Sequence, residues 1–153
     1  MHETTLCYIR RDGEWLMLHR VKREQDENAG KWIGVGGHVE EGETPEECLL
    51  REVNEETGLT LTSWEKRGEI DFLSDKFDSE RMHLYTADVF SGALRACDEG
   101  DLAWIPEEKL FELPMWEGDR VFLNMLMDDA PEFRMTLRYK GDTLVETHVE
   151  YLG

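Results

Sequence analysis

The chain has 153 residues, 40% of them hydrophobic and 34% charged, and 35 Asp and Glu against 17 Lys and Arg give a formal charge of −18. That composition suits a single packed domain over 1–153. A field of this sign disfavours a nucleic-acid polymer or an anionic membrane as partner, yet admits one small phosphorylated ligand reached through a bound cation. Cys7, Cys48 and Cys97 form no CxxC pair, the N-terminal residues lack the regions of a signal peptide, and no apolar run approaches the ~20 residues of a membrane span. A soluble, cytoplasmic protein is expected; composition leaves its oligomeric state open.

In chain order, residues 4–9 and 14–21 are rich in β-formers, with Asp12-Gly13 between them as a hairpin signal. Residues 22–31 read as an exposed loop, and 32–39 as a short strand or turn interrupted by Gly34, Gly36 and Gly37. Thr44-Pro45-Glu46-Glu47 then announces a helix over 45–57: Thr44 can cap, Pro45 suits the first position, Glu47 completes a capping box, and Gly58 can end it left-handed. Strands are predicted near 67–73, 82–90 and 102–105, a helix over 117–128, and a hairpin over 133–149 that turns at Lys140-Gly141-Asp142. Strands outnumber helices without strict alternation, which predicts a mixed sheet with a few helices packed on it.

The informative segment is 37–59. On a helix, Glu52, Glu55 and Glu56 stand at i, i+3 and i+4 and share a face, at a cost of roughly 0.2–0.5 kcal/mol per like-charged pair. Arg51 lies among them, with Glu47 and Glu55 four residues to either side, and Leu49 and Val53 form an apolar stripe for packing on a sheet. Three hard oxygen donors on a helix with one buried face are what Mg²⁺ or Mn²⁺ binding requires. The five histidines show no zinc-site spacing.

The full spacing Gly37-x5-Glu43-x7-Arg51-Glu52-Val53-x-Glu55-Glu56-x-Gly58-Leu59 matches every fixed place of the Nudix box. The sequence thus resembles the Nudix hydrolases, which cleave nucleoside diphosphates linked to another moiety. The resemblance implies an α/β fold, an α/β/α sandwich around a mixed sheet, with the box as a loop–helix–loop catalytic motif. It makes Glu52, Glu55 and Glu56 metal ligands for Mg²⁺ (or Mn²⁺), with the Gly36 carbonyl as a further ligand. Arg51 orients the glutamates, Glu43 supports the loop, and Glu52 is the chosen general base. Among Asp98, Glu99 and Asp101, Glu99 is the chosen carboxylate from outside the box, by its position before Trp104. Lys22, Arg23 and Lys31 are the nearest upstream cations for phosphate.

Within the family, Gly30-Lys31-Trp32, Gly34-x-Gly36-Gly37, Trp104-Ile105-Pro106 and Pro114-Met115-Trp116-Glu117-Gly118-Asp119 are similar to the oxidised-purine nucleoside triphosphatases, the 8-oxo-dGTP diphosphatases. The proline near position 74 that marks many ADP-ribose enzymes is absent, since none occurs between Pro45 and Pro106. The resemblance makes Trp116 a stacking surface for the base, in an exposed polar setting beside Glu117-Gly118-Asp119, with Asp119 reading its edge and Phe72 and Met82 as walls. Trp32, Gly37 and His38 complete the substrate-binding set. Ile33 stands where human-like members carry a base-binding Asn, and His38 where they carry a Lys. The implied activity is conversion of a nucleoside triphosphate to the monophosphate and pyrophosphate, sanitising oxidised purines. The rivals are another nucleoside diphosphate-linked substrate, or a nucleotide-binding module without turnover.

Overall fold

In a computed structural model, residues 1–20 and 28–152 are described. Eight strands and two α-helices follow in the order β1 (His2–Arg11), β2 (Glu14–His19), β3 (Trp32–Ile33), α1 (Pro45–Thr57), β4 (Thr60–Ser74), β5 (Glu80–Ser91), β6 (Asp101–Pro106), α2 (Glu117–Met127), β7 (Phe133–Lys140) and β8 (Thr143–Tyr151), with a 3₁₀ turn at Glu107–Glu112 before α2. The strands join as β3-β2-β1-β5-β4-β7-β8, with β6 on the other edge of β2. β1 runs parallel to β5 and β4 parallel to β7, while the remaining pairs are antiparallel. The sheet is therefore mixed, as the irregular alternation of elements predicts.

β1 shows why the sheet has two faces. Its residues from Thr4 to Ile9 are all buried, but they alternate in what they meet. Leu6 and Tyr8 join a core with Phe122, Leu123 and Leu126 of α2. Cys7 and Ile9 join a second core with Leu49 and Val53 of α1. A strand covered on both faces reads as a continuous apolar run, and this one sits between two helical layers.

β1 and β2 leave the Asp12-Gly13 turn paired only at Arg10–Trp15 and Arg11–Glu14. Beyond that the two strands part, and β3 occupies the edge of β2 opposite Leu18 and His19. The glycine-rich segment after β3 takes the vacated edge of β1: Cys7 and Val35 exchange both backbone hydrogen bonds at 2.7 and 3.0 Å, and Thr5 N–H donates to the Gly37 carbonyl at 2.9 Å. The loop is thus laced onto the sheet. β4 is longer than its predicted 67–73 core because its first half is bulged, with register shifts at Leu61/Ser63, Ser63/Glu65 and Lys66/Gly68. No helix among the described residues is long and apolar enough to cross a membrane.

Candidate active site

Helix α1 is fixed by its own ends. Thr44 Oγ1 accepts from Glu47 N–H at 3.1 Å, Glu47 Oε1 accepts from Thr44 N–H at 2.9 Å, and Gly58 closes the helix at φ +82°. With Leu49 and Val53 buried against the sheet, Arg51, Glu52 and Glu56 are brought beside the glycine-rich segment.

Arg51 organises the carboxylates. Its Nε and Nη2 donate to the two Glu43 oxygens at 2.7 and 2.9 Å, a bidentate pair, and Nη1 donates to Glu52 Oε1 at 2.8 Å. A further Nη2 bond reaches the His38 carbonyl at 3.2 Å, tying the helix to the loop. Glu47, expected as a partner for Arg51, is engaged in the cap, and Glu43 takes that place. The hydrogen bonds from Arg51 pull the Glu43 carboxyl down to about 2 and raise the guanidinium well above its ordinary value. Burial raises Glu52, with Arg51 opposing.

Glu56 is the most enclosed carboxylate of α1, 6% exposed. Its Oε1 accepts from Gly36 N–H at 2.8 Å, and its buried Oε2 has no hydrogen-bond partner. Burial first, then the neighbouring Glu99 carboxyl, push Glu56 well above the usual carboxylate range. Two glycines make room at this point. A side chain at Gly36 would run into the Thr5 carbonyl, and a Cβ at Gly37 would lie 2.7 Å from both Glu52 oxygens.

These groups open into a cleft of about 360 Å³ that includes Glu52, Glu99, Gly36, Gly37, His38 and Arg20. Of Asp98, Glu99 and Asp101, only Glu99 lines it, and it receives Arg20 Nη1 at 3.4 Å. Glu55 does not: its side chain is 58% exposed and leans on Arg51 at 3.4 Å. Among the described residues no three His, Cys, Asp or Glu side chains converge as a closed metal cage. Glu56 itself is not among the residues lining the cleft; it lies behind Gly36, which does line it. The donor chemistry nevertheless fits a hard divalent cation, because Glu56 keeps a buried carboxylate oxygen without a partner and the neighbouring Glu52 and Glu99 are oxygen donors on the cleft wall.

At the inner end lies a cavity of about 60 Å³, lined by Leu6, Asn28, Ile33, Phe72, Glu80, Met82, Trp116 and Asp119. It shares Leu6, Asn28, Ile33, Glu80 and Met82 with the larger cleft. The four predicted base-site residues Phe72, Met82, Trp116 and Asp119 are therefore together. The setting of Trp116 differs from the exposed one expected: only Glu117 is exposed, while Trp116, Gly118 and Asp119 are buried, Trp116 at 5% exposure and Asp119 at 7%. The first turn of α2 is pressed onto β7, where Gly118 N–H donates to Tyr139 Oη at 2.7 Å and a Cβ at Gly118 would meet Leu137 and Tyr139. Trp116 is held by Asn28, whose Oδ1 accepts its Nε1–H at 2.7 Å, and Lys31 Nζ lies 4.3 Å above its ring.

Trp32 lies outside these cavities, stacked on His19 with ring centres 4.5 Å apart. His38 is exposed at the rim. Lys22 and Arg23 fall outside the described residues. Sequence reasoning missed Arg20, Asn28 and Glu80, whose places depend on long-range pairing and not on any local motif.

Asp119 makes no side-chain hydrogen bond among the described residues. Burial first, and then the Glu80 charge, raise its carboxyl to about 7. The folded protein therefore holds a proton there that the unfolded chain releases near pH 4. Stability from this group is full below about pH 4 and is lost as pH rises to about 7. Asp119→Asn should melt higher than the parent at pH 8, by an amount on the order of a few kcal/mol at most, with the gap closing toward pH 5. Thermal melts across that range check this; a constant gap would refute it.

A NUDIX domain model matches residues 1–126 of the chain. The chain is 31% identical over 121 residues to an oxidized purine nucleoside triphosphate hydrolase of Danio rerio, covering 78% of this chain and 77% of that protein. It is 31% identical over 130 residues to a CTP pyrophosphohydrolase of Escherichia coli, covering 83% and 92%. A MutT protein structure from Bacillus halodurans superposes with a TM-score of 0.88 at 24% identity over 98% of each chain, a likeness of fold. The chain belongs to the NUDIX family, hydrolases of phosphoric anhydrides, and its α/β sandwich is that family's fold.

Proposed function

We propose that this NUDIX hydrolase converts nucleoside triphosphates to the monophosphate and pyrophosphate in the presence of Mg²⁺, with Mn²⁺ as the alternative, and that oxidised purine nucleotides such as 8-oxo-dGTP are its preferred substrates. The observation that carries the reading is one continuous cleft with a carboxylate-rich end and an apolar, carboxyl-tipped end. A base lodged against Trp116, Phe72 and Met82 would lay its phosphates toward Glu52, Glu56 and Glu99. The relative named for oxidised purine nucleoside triphosphates supports the purine assignment.

Glu52, Glu56, Glu99 and the Gly36 carbonyl would hold the divalent cation, which when bound would neutralise phosphate charge and acidify water. Arg51 positions Glu52 and Glu43 and ties them to the loop through the His38 carbonyl. Glu52 takes the proton of the attacking water as general base. Arg20 shifts from Glu99 to the phosphate oxygens when substrate enters.

Pyrophosphate release measured with Mg²⁺ over 8-oxo-dGTP, dGTP, CTP, ATP and ADP-ribose tests the reading. The expected result is the highest kcat/KM on 8-oxo-dGTP, abolished by chelation of the metal. A preference for CTP would instead align this chain with its pyrimidine-named relative. Silence across the panel, with nucleotide still binding, would make it a binding module.

A further inference from the structure

We infer that the outer edge of β8 is an interface with a second copy of this chain, the two strands pairing antiparallel about Val149 in one continuous sheet.

β8 (Thr143–Tyr151) ends the sheet, and among the described residues it pairs only with β7. Native proteins blunt such edges with short strands, Lys, Pro or bulges, because unpaired backbone groups recruit another strand. β8 is nine residues long and, from Thr143 to Leu152, the chain carries no Lys, Arg or Pro. Its bulge lies near the turn, where the register shifts between Arg138 and Tyr139; from Glu146 to Tyr151 the pairing is regular. Val145, Tyr151 and Leu152 are each more than half exposed.

The hydrogen bonding shows which backbone groups face outward. Leu152 N–H donates to the Glu132 carbonyl at 2.9 Å, while Tyr151 lies opposite Phe133. Bonded and non-bonded positions alternate along an antiparallel pair, so Leu152, Glu150 and His148 turn their backbone groups toward β7. Thr147, Val149 and Tyr151 turn theirs to the open edge.

A second β8 related by a two-fold axis can meet these groups in few registers. Opposed residues share a sheet face, so the axis passes through a residue and not between two. At His148 it would set Glu146 against the partner's Glu150, and at Glu150 it would set that residue against its own copy. Like charges directly opposite are destabilising. At Thr147 the axis would draw the bulged Val145 into the pairing. At Val149 the regular segment alone is used. Val149 then meets its own copy, Thr147 meets the partner's Tyr151, and His148 meets the partner's Glu150. The outward N–H and C=O groups of Thr147, Val149 and Tyr151 are all bonded, and an imidazole faces a carboxylate on each side of the axis. The two-fold closes the edge on itself, so association stops at two copies. One short strand from each chain makes a small contact, and the dimer is correspondingly weak.

Sedimentation equilibrium over about 1 to 300 µM protein at ~0.15 M salt tests this. The parent should move reversibly from the 17.9 kDa monomer toward twice that mass. Thr147→Pro removes an N–H that faces away from β7, a place where an edge strand tolerates proline, so this variant should stay folded and monomeric. His148→Glu sets two like-charged pairs across the axis and should weaken association by about tenfold. Adding Glu150→His to that variant exchanges the two charges and should restore the parent's affinity. Melting curves show that each variant is folded; should Thr147→Pro fail to fold, the charge exchange decides alone. A parent monomeric throughout, a dimer that survives Thr147→Pro, or a double variant no tighter than His148→Glu overturns the inference.

Discussion

Glu56→Gln is expected to lower kcat by about a thousandfold or more while the protein stays folded. Glu56 is the most buried carboxylate of α1, and its unpartnered Oε2 is what a divalent cation would take. Gln keeps the volume and can still accept the Gly36 N–H through its carbonyl oxygen, but it offers the cation no charge. A thousandfold loss corresponds to about 4 kcal/mol of transition-state stabilisation, within the several kcal/mol that metal assistance supplies. The metal-free variant should melt no lower than the parent, because a carboxylate crowded by Glu99 has been replaced by a neutral amide. Added Mg²⁺ should raise the melting temperature of the parent and not of the variant. Retained turnover, or equal stabilisation by Mg²⁺, would remove Glu56 from the metal site.

Arg51→Lys should cost about 10- to 100-fold in activity, the range for residues that orient metal ligands. Its guanidinium spans Glu43, Glu52 and the His38 carbonyl at once. A lysine ammonium preserves the charge but cannot make that fork. Glu52 would lose its fixed orientation, and the loop its tie to α1. The loss should appear in kcat and in the Mg²⁺ concentration needed for half-maximal rate, with KM for nucleotide far less altered. Activity within twofold of the parent would show that charge alone suffices.

Local chemistry was the legible part. Helix α1 has both caps written into a few consecutive residues, and its predicted bounds match the observed Pro45–Thr57. The front half of β4 was not legible, because its bulges break the two-residue alternation on which strand reading depends. The carboxylates of α1 could be grouped from spacing, but spacing could not tell that Glu55 turns to solvent while Glu56 is enclosed. The same limit hid Arg20 and Glu80. One follows the strand that pairs with β6; the other begins β5, whose parallel register with β1 sets it beside the cleft. The burial of Trp116 and Asp119 was hidden for a related reason: a polar tripeptide reads as exposed until a helix's first turn is seen packed on β7.

The lacing of residues 35–37 along β1 bears on how tightly nucleotide is held. A glycine-rich segment is costly to immobilise, since glycine surrenders more backbone freedom than any other residue. Here that ordering is completed when the sheet forms, by hydrogen bonds that have nothing to do with ligand. Nucleotide therefore meets a loop whose conformational entropy is already gone, and its contacts go undiminished into affinity and alignment. A loop with the same residues hung free of the sheet would bind the same phosphates more weakly.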